Sequence, residues 1–139
     1  RSHGREDLTD TPVNQLSAIV NSKGFELRSN YLRTLKNWES FYSKENIFVG
    51  YYDEIINNPK GLLLRIFKFL EVESNLKHVS NKIEEKINQS PSQDIPLDLE
   101  LYLAKKFYPQ VKELNATLGG AAECWQIEIE QILAKSRFL

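Results

Sequence analysis

The stretch Ile47-Phe48-Val49-Gly50-Tyr51-Tyr52 decides the fold, because it is a continuous apolar run of strand length that is rich in β-branched and aromatic residues. Such a run is typical of a strand that is buried on both faces, as strands are in a parallel sheet covered by helices. No other stretch of the sequence predicts a strand convincingly. The sequence therefore predicts a mostly helical chain with one strand near residues 47–52.

Helical patterns precede this run. Apolar residues recur at helical spacing in residues 13–20, which predicts a short first helix. Ser29 or Asn30 can cap a second helix. The apolar stripe of that second helix consists of Tyr31, Leu35, Trp38 and Tyr42. We expect this stripe to pack inward, with the polar residues of the helix facing outward.

Helical patterns also follow the run. Asn58-Pro59 supplies a cap and a proline at the first helical position, which predicts a helix that ends near Leu70. The polar segment 71–93 predicts irregular structure with one or two helical turns. Two further helices are predicted, from Pro96 to Leu118 and from about Ala121, with Gly119-Gly120 between them. Pro109 should kink or divide the first of these two.

A single buried strand has unpaired backbone donors and acceptors on both of its edges, and leaving them unsatisfied is costly. Three arrangements resolve the problem. The rest of a sheet lies upstream of Arg1, or two copies of the chain pair their strands, or the segment is not a strand in the isolated chain. The first arrangement predicts that residues 1–139 form one incomplete domain, and the second predicts a homo-oligomer.

The composition excludes several classes of function. Eighteen basic and nineteen acidic residues leave a net charge of -1, so no overall field attracts nucleic acid or an anionic membrane. The two histidines and the single cysteine, Cys124, show no metal-ligand spacing. No apolar run approaches the roughly 20 residues that span a bilayer. We therefore expect a cytoplasmic protein of one domain that binds no metal, membrane or nucleic acid.

An ordered series of motifs lies between Tyr31 and Trp125. The series consists of Tyr31-Leu32-Arg33-Thr34-Leu35-Lys36-Asn37-Trp38, Ile47 to Ile55 with its aromatic doublet and acidic pair, Asn58-Pro59 with a helix ending in Phe69-Leu70, Lys86-Ile87-Asn88-Gln89-Ser90 before Ile95-Pro96, and Leu114 to Gly119 with Trp125. In order and spacing it resembles the sulfotransferases that use 3′-phosphoadenosine 5′-phosphosulfate (PAPS), in particular their bacterial members. Glu71 departs from the pattern, because the family usually has glycine there.

The resemblance implies an α/β parent fold of three layers with a parallel sheet, related to the P-loop kinases. This chain would be its helix-rich carboxy-terminal part. The implied reaction transfers a sulfuryl group from PAPS to a hydroxyl or amine of a small-molecule or carbohydrate acceptor and releases 3′-phosphoadenosine 5′-phosphate (PAP).

The resemblance also places residues of the cofactor site. Tyr52 matches the tyrosine that lies beside the adenine, and Lys86, Asn88 and Ser90 lie in a loop that can close over the nucleotide. Ser2, followed by His3, matches the end of the segment that holds the 3′-phosphate. A core tyrosine and a solvated loop are the alternative interpretations for Tyr52 and for the three loop residues.

The phosphosulfate loop and the catalytic base of the family have no counterpart in this sequence, so no catalytic residue is predicted and the isolated chain is expected to be inactive. Asp53 and Glu54 are adjacent, so their side chains diverge and do not form an acid/base pair. We interpret them as charges at a helix N-terminus. The alternative function is that of a small, non-enzymatic helical interaction module, in which the aromatic helix from Tyr31 to Tyr42 packs on a partner.

Overall fold

The computed structural model describes residues 12–79, 81–85 and 95–136. Its α-helices in these ranges are α1 (Val13–Val20), α2 (Lys23–Ser29), α3 (Tyr31–Glu39), α4 (Tyr52–Asn57), α5 (Pro59–Phe69), α6 (Leu97–Leu118) and α7 (Ala121–Lys135). Short 3-10 turns cover Lys44–Asn46, Leu76–His78 and Asn81–Glu84. The structure thus confirms the helices predicted at residues 13–20, from Tyr31, from Pro59, before Gly119 and from Ala121, and it adds α2 and α4.

The strand predicted near residues 47–52 is wrong for the described part of the chain. The backbone is extended at Ile47 (φ −116°, ψ 113°) and at Tyr51 (φ −97°, ψ 146°). No described segment pairs with it in a ladder, and Tyr52 already begins α4. Because a strand exists only when a second backbone exchanges hydrogen bonds with it, the run remains an extended segment. Of the three arrangements considered for this run, the described residues match the third.

The described chain forms two compact units, one from the residues before Lys36 and after Ser90, the other from Lys36–Ser90. The first unit contains α1, α2, the start of α3, α6 and α7, and its most extensive helix contact joins α6 to α7. The prediction that residues 1–139 form a single domain stays a prediction.

The buried side chains of the described residues all lie in the first unit. They are Leu16, Val20, Leu32, Leu99, Ala104, Leu114 and Ala122. Leu16 and Val20 lie four residues apart on α1, which contacts both α2 and α6. Apolar periodicity therefore positions these helices around a core, as the sequence predicts for residues 13–20.

Side-chain hydrogen bonds connect α2 and the residue after α1 to α6. The Oδ1 atom of Asn21 accepts hydrogen bonds from the Tyr102 hydroxyl, at 2.7 Å, and from Lys106 Nζ. Lys106 also donates to Glu26 Oε1 at 3.1 Å. These contacts join residues about 80 positions apart in the sequence, so no local pattern predicts them.

Two predictions about helix α3 and helix α6 need correction. The predicted stripe is largely solvent-exposed, since Trp38 is 55 % exposed and Tyr42, which lies beyond the end of α3, is 52 % exposed, although Leu35 is half-buried. Pro109 does not divide α6, which runs as one helix of 22 residues, and the alternative prediction of a kink at Pro109 stays a prediction. Because Pro109 lies within a helix that packs along α7, tertiary contacts offset the local cost of a proline.

The second unit contains α4 and α5. Asn58 lies between them and caps α5, because its Oδ1 accepts a hydrogen bond from the Gly61 N–H at 3.0 Å, and Pro59 occupies the first turn. A methyl group on Gly61 would lie within 2.3–2.7 Å of the Asn58 side chain, so the cap and the glycine depend on each other. This confirms the helix start predicted from Asn58-Pro59.

Candidate functional site

Tyr52 is the one predicted site residue that the structure describes. It is the first residue of α4, directly after the extended segment 47–51, and its side chain is 71 % exposed. The interpretation of Tyr52 as a core tyrosine is therefore wrong. Ser2, Lys86, Asn88 and Ser90 lie outside the described residues.

The start of α4 is fixed by Glu54. Its Oε2 accepts a hydrogen bond from the Tyr51 N–H at 2.9 Å, and its own N–H donates to the Tyr51 carbonyl oxygen at 3.1 Å. Asp53 and Glu54 both lie in the first turn of α4. They are therefore placed where negative charge favours a helix N-terminus, as the sequence predicts, although this helix begins earlier than the predicted one.

Arg65 on α5 forms hydrogen bonds with both α4 and the extended segment. Its Nη1 donates to Glu54 Oε1, and its Nη2 donates to the Val49 carbonyl oxygen at 3.2 Å. Both oxygens of Glu54 therefore accept hydrogen bonds. Because both oxygens already have partners, this carboxylate is poorly placed to accept a proton from a substrate.

The aromatic ring of Phe48 completes this contact. The guanidinium carbon of Arg65 lies 5.3 Å from the Phe48 ring centroid, within the range of a cation–π contact. The Phe48 ring also packs against Phe69 on α5, with 5.4 Å between their centroids. The segment before Tyr52 is thus attached to α5 by polar and apolar contacts, and this fixes the position of Tyr52.

Gly50 allows the segment to lie close to α5. A methyl group at Gly50 would lie 3.1 Å from Leu62 Cδ1 and 3.2 Å from Phe48 Cε1, which is closer than ordinary van der Waals contact. A larger residue at this position would require these two side chains to shift by a few tenths of an ångström.

Glu54 and Arg65 also affect the pKa of the Tyr51 phenol. Partial burial raises the pKa of Tyr51, the negative charge of Glu54 raises it further, and Arg65 partly offsets this increase. The phenol therefore stays protonated at neutral pH. It therefore adds no charge to this part of the structure.

The sequence did not reveal the role of Arg65. It lies 11 positions from Glu54 and 16 from Val49, and no helical or strand spacing links residues at those separations. Its guanidinium contacts both only because α4 and the extended segment fold back along α5. The sequence carries no signal from which this residue could have been found.

A model of the sulfotransferase domain family matches residues 10–134. The chain belongs to the sulfotransferase domain family. This confirms the family predicted from the motifs between Tyr31 and Trp125, and the match extends beyond them at both ends. No curated protein and no solved structure matches the chain significantly.

Within the sulfotransferase domain, the match includes the extended segment, α4 with Tyr52, and α5 with Arg65. The mostly helical structure agrees with a helix-rich part of the family fold. The three-layer P-loop architecture stays a prediction. None of the helices in the described ranges is long and apolar enough to cross a membrane, and the cytoplasmic location stays a prediction.

Proposed function

We propose that the chain is the carboxy-terminal part of a sulfotransferase that transfers the sulfuryl group of PAPS to a hydroxyl or amine of a small-molecule or carbohydrate acceptor. The observation that carries the proposal is the family match over residues 10–134. In this reaction the bond between sulfur and the phosphate oxygen of PAPS breaks, a bond between sulfur and the acceptor forms, and the acceptor loses a proton as PAP leaves.

The role of this chain is to bind the adenine side of the nucleotide. An exposed aromatic ring at a fixed position suits a planar base, and Tyr52 has both properties, because its ring is exposed and the preceding segment is attached to α5. Lys86 supplies a charge, and Asn88 and Ser90 supply donors, toward phosphate or ribose oxygens. Ser2 contacts the 3′-phosphate.

The chemical step requires residues outside this sequence. The sequence has no glycine-rich turn with Lys-Thr or Lys-Ser at a helix N-terminus, which is the kind of site that holds a phosphosulfate by backbone N–H groups. The two carboxylate oxygens of Glu54 already accept hydrogen bonds from Tyr51 and Arg65. By analogy with phosphoryl transfer, positioning and charge stabilisation supply most of the rate enhancement, so a chain without those groups is inactive.

The test begins with the DNA upstream of the Arg1 codon, which is sequenced to find a strand, a glycine-rich Lys-Thr or Lys-Ser turn and an arginine-serine segment. The chain alone and the chain extended by that upstream sequence are then assayed with labelled PAPS and phenolic, amine and sugar acceptors. We expect sulfation only by the extended protein. Sulfation by the chain alone would refute the claim that it is inactive, and a start codon or unrelated sequence upstream would refute the enzymatic proposal.

A second candidate is the helical interaction module, which the exposed aromatic residues of the second unit support. Trp38 and Tyr42 have ring centroids 5.7 Å apart, and Phe41 beside them is 84 % exposed. Contiguous exposed apolar patches are typical of protein interaction sites. Light scattering distinguishes the candidates, because a stable oligomer of the chain favours the module and a monomer favours the enzyme fragment.

A further inference from the structure

The first unit contains an apolar cleft between α2, α3, α6 and α7. Its volume is about 230 Å³. The apolar residues that form its walls are Phe25, Leu32, Phe107, Val111, Leu114 and Trp125. Tyr31, which is 59 % exposed, also lines the cleft, and the cleft is open to solvent.

Besides Tyr31, three of the residues that line the cleft are aromatic: Phe25, Phe107 and Trp125. The rings of Phe25 on α2 and Phe107 on α6 lie 6.4 Å apart at an interplanar angle of 46°, and the Trp125 indole comes from α7. Rings prefer offset or edge-to-face neighbours at centroid distances of roughly 4.5–7 Å. Phe25 and Phe107 are therefore in aromatic contact with each other in the wall of the cleft.

The polar groups of the cleft exclude charged ligands. The remaining lining residues are Ser29 and Gln110, so no charged side chain among the described residues lines the cleft. The Ser29 hydroxyl already donates to the Phe25 carbonyl oxygen at 2.8 Å. A carboxylate or ammonium group in this cleft would lose its hydration without gaining a partner of opposite charge.

We infer that this cleft binds a neutral planar aromatic molecule of one or two rings. Ligand sites are concave and lined mostly by apolar and aromatic side chains, and a cleft of about 230 Å³ can accommodate one or two rings. The ligand lies against Phe25, Phe107 and Trp125. The inference does not depend on sulfuryl transfer, since it uses only the geometry of the first unit.

The test uses the two tryptophans, Trp125 in the cleft and Trp38 in the second unit, as reporters. The chain labelled with ¹⁵N is titrated with 2-naphthol, and the shifts of the two indole N–H signals are followed by NMR, with Trp38→Phe to assign them. We expect a saturable shift of the Trp125 signal at millimolar concentration or below, with Trp38 unchanged. An unmoved Trp125 signal, or equal shifts of both signals, overturns the inference.

Two matched comparisons test the location and the chemistry. Val111→Phe fills the cleft, whereas Lys112→Phe adds the same ring at the adjacent exposed position, and far-UV circular dichroism verifies that both variants fold. We expect Val111→Phe to weaken 2-naphthol binding at least tenfold and Lys112→Phe to leave it unchanged. In the unmodified chain, 2-naphthoate has the same rings and a charge, and it should bind at least tenfold more weakly. Equal binding of the two ligands contradicts the assignment, whether or not Val111→Phe folds.

Discussion

The backbone N–H of Val72 donates a hydrogen bond to the carbonyl oxygen of Phe67 at 3.1 Å, and this bond closes the C-terminus of α5 around Glu71. The Glu71 N–H donates to the Lys68 carbonyl oxygen at 3.2 Å, which completes the Schellman pattern of helix termination. Glu71 has φ +56°, a left-handed conformation that glycine adopts without cost and other residues do not.

Glu71→Gly should stabilise the protein by about 1 kcal/mol, because glycine removes the steric cost of the left-handed backbone and keeps both hydrogen bonds. The corresponding rise in melting temperature is about 3 °C. Glu71→Ala is the matched control, since it removes the same side chain but retains a Cβ atom. Thermal unfolding followed by circular dichroism measures both variants, and equal melting temperatures for glycine and alanine would contradict this account.

The sequence predicted the features of the fold that depend on local chemistry. The start of α5 follows from the cap Asn58 and the proline after it, and the end of α6 follows from Gly119-Gly120. Glu71 already differs from the glycine of the family pattern, and the structure gives that departure a physical meaning, namely a left-handed backbone at a helix end.

Features that depend on distant contacts were not predicted. The apolar run at residues 47–52 has the composition of a buried strand, but strand formation needs a partner backbone that the described residues do not supply. Helical periodicity alone predicted that Trp38 and Tyr42 face inward, whereas both are exposed among the described residues. The contact of Arg65 with Glu54 and Val49 depends on how α4 folds back along α5, and no pattern in the sequence encodes it.

Gly119→Ala should destabilise the protein by about 1–2 kcal/mol through backbone conformation alone. Gly119 has φ +63° and ψ −142°, and a Cβ atom there would have no neighbour within 4 Å, so no steric clash contributes. Gly24→Ala is the control. Gly24 lies within α2, its Cβ would lie 3.7 Å from the nearest atom, and alanine there should stabilise the helix by up to about 1 kcal/mol. Urea unfolding measures both, and destabilisation of similar size at the two positions would contradict this assignment.

Alkaline pH should destabilise the protein through Tyr51. The pKa of Tyr51 is raised in the folded state. The contribution of Tyr51 to the free energy of unfolding is therefore fully present below the ordinary tyrosine pKa of 10.0, and it is lost as the pH rises through the higher pKa that Tyr51 has in the folded protein. Tyr108, whose pKa is raised by its hydrogen bond to Glu130, acts in the same direction. Urea midpoints at pH 9 and pH 11 should therefore differ less in Tyr51→Phe than in the unmodified chain.

Arg65→Met is the companion variant for this pH dependence. Arg65 lowers the pKa of Tyr51, so its removal should raise that pKa further and increase the loss of stability between pH 9 and pH 11. An absorbance titration of the phenolate gives the shift directly when it is compared with the titration of Tyr51→Phe. An unchanged or lowered Tyr51 pKa in Arg65→Met would show that the guanidinium does not act on this phenol.

Tyr52→Ala should weaken PAP binding by about 1–2 kcal/mol, or about tenfold, in the chain extended by its upstream sequence, because an aromatic ring that stacks on a base contributes an energy of this order. The melting temperature should not change, since the Tyr52 side chain is 71 % exposed. Tyr52→Phe retains the ring and should bind PAP normally. Phe41→Ala removes another exposed ring of the second unit, outside the proposed adenine site, and should also leave binding unchanged. Isothermal titration calorimetry with PAP measures all four proteins. If Tyr52→Ala and Phe41→Ala bind PAP equally well, Tyr52 does not contact the adenine.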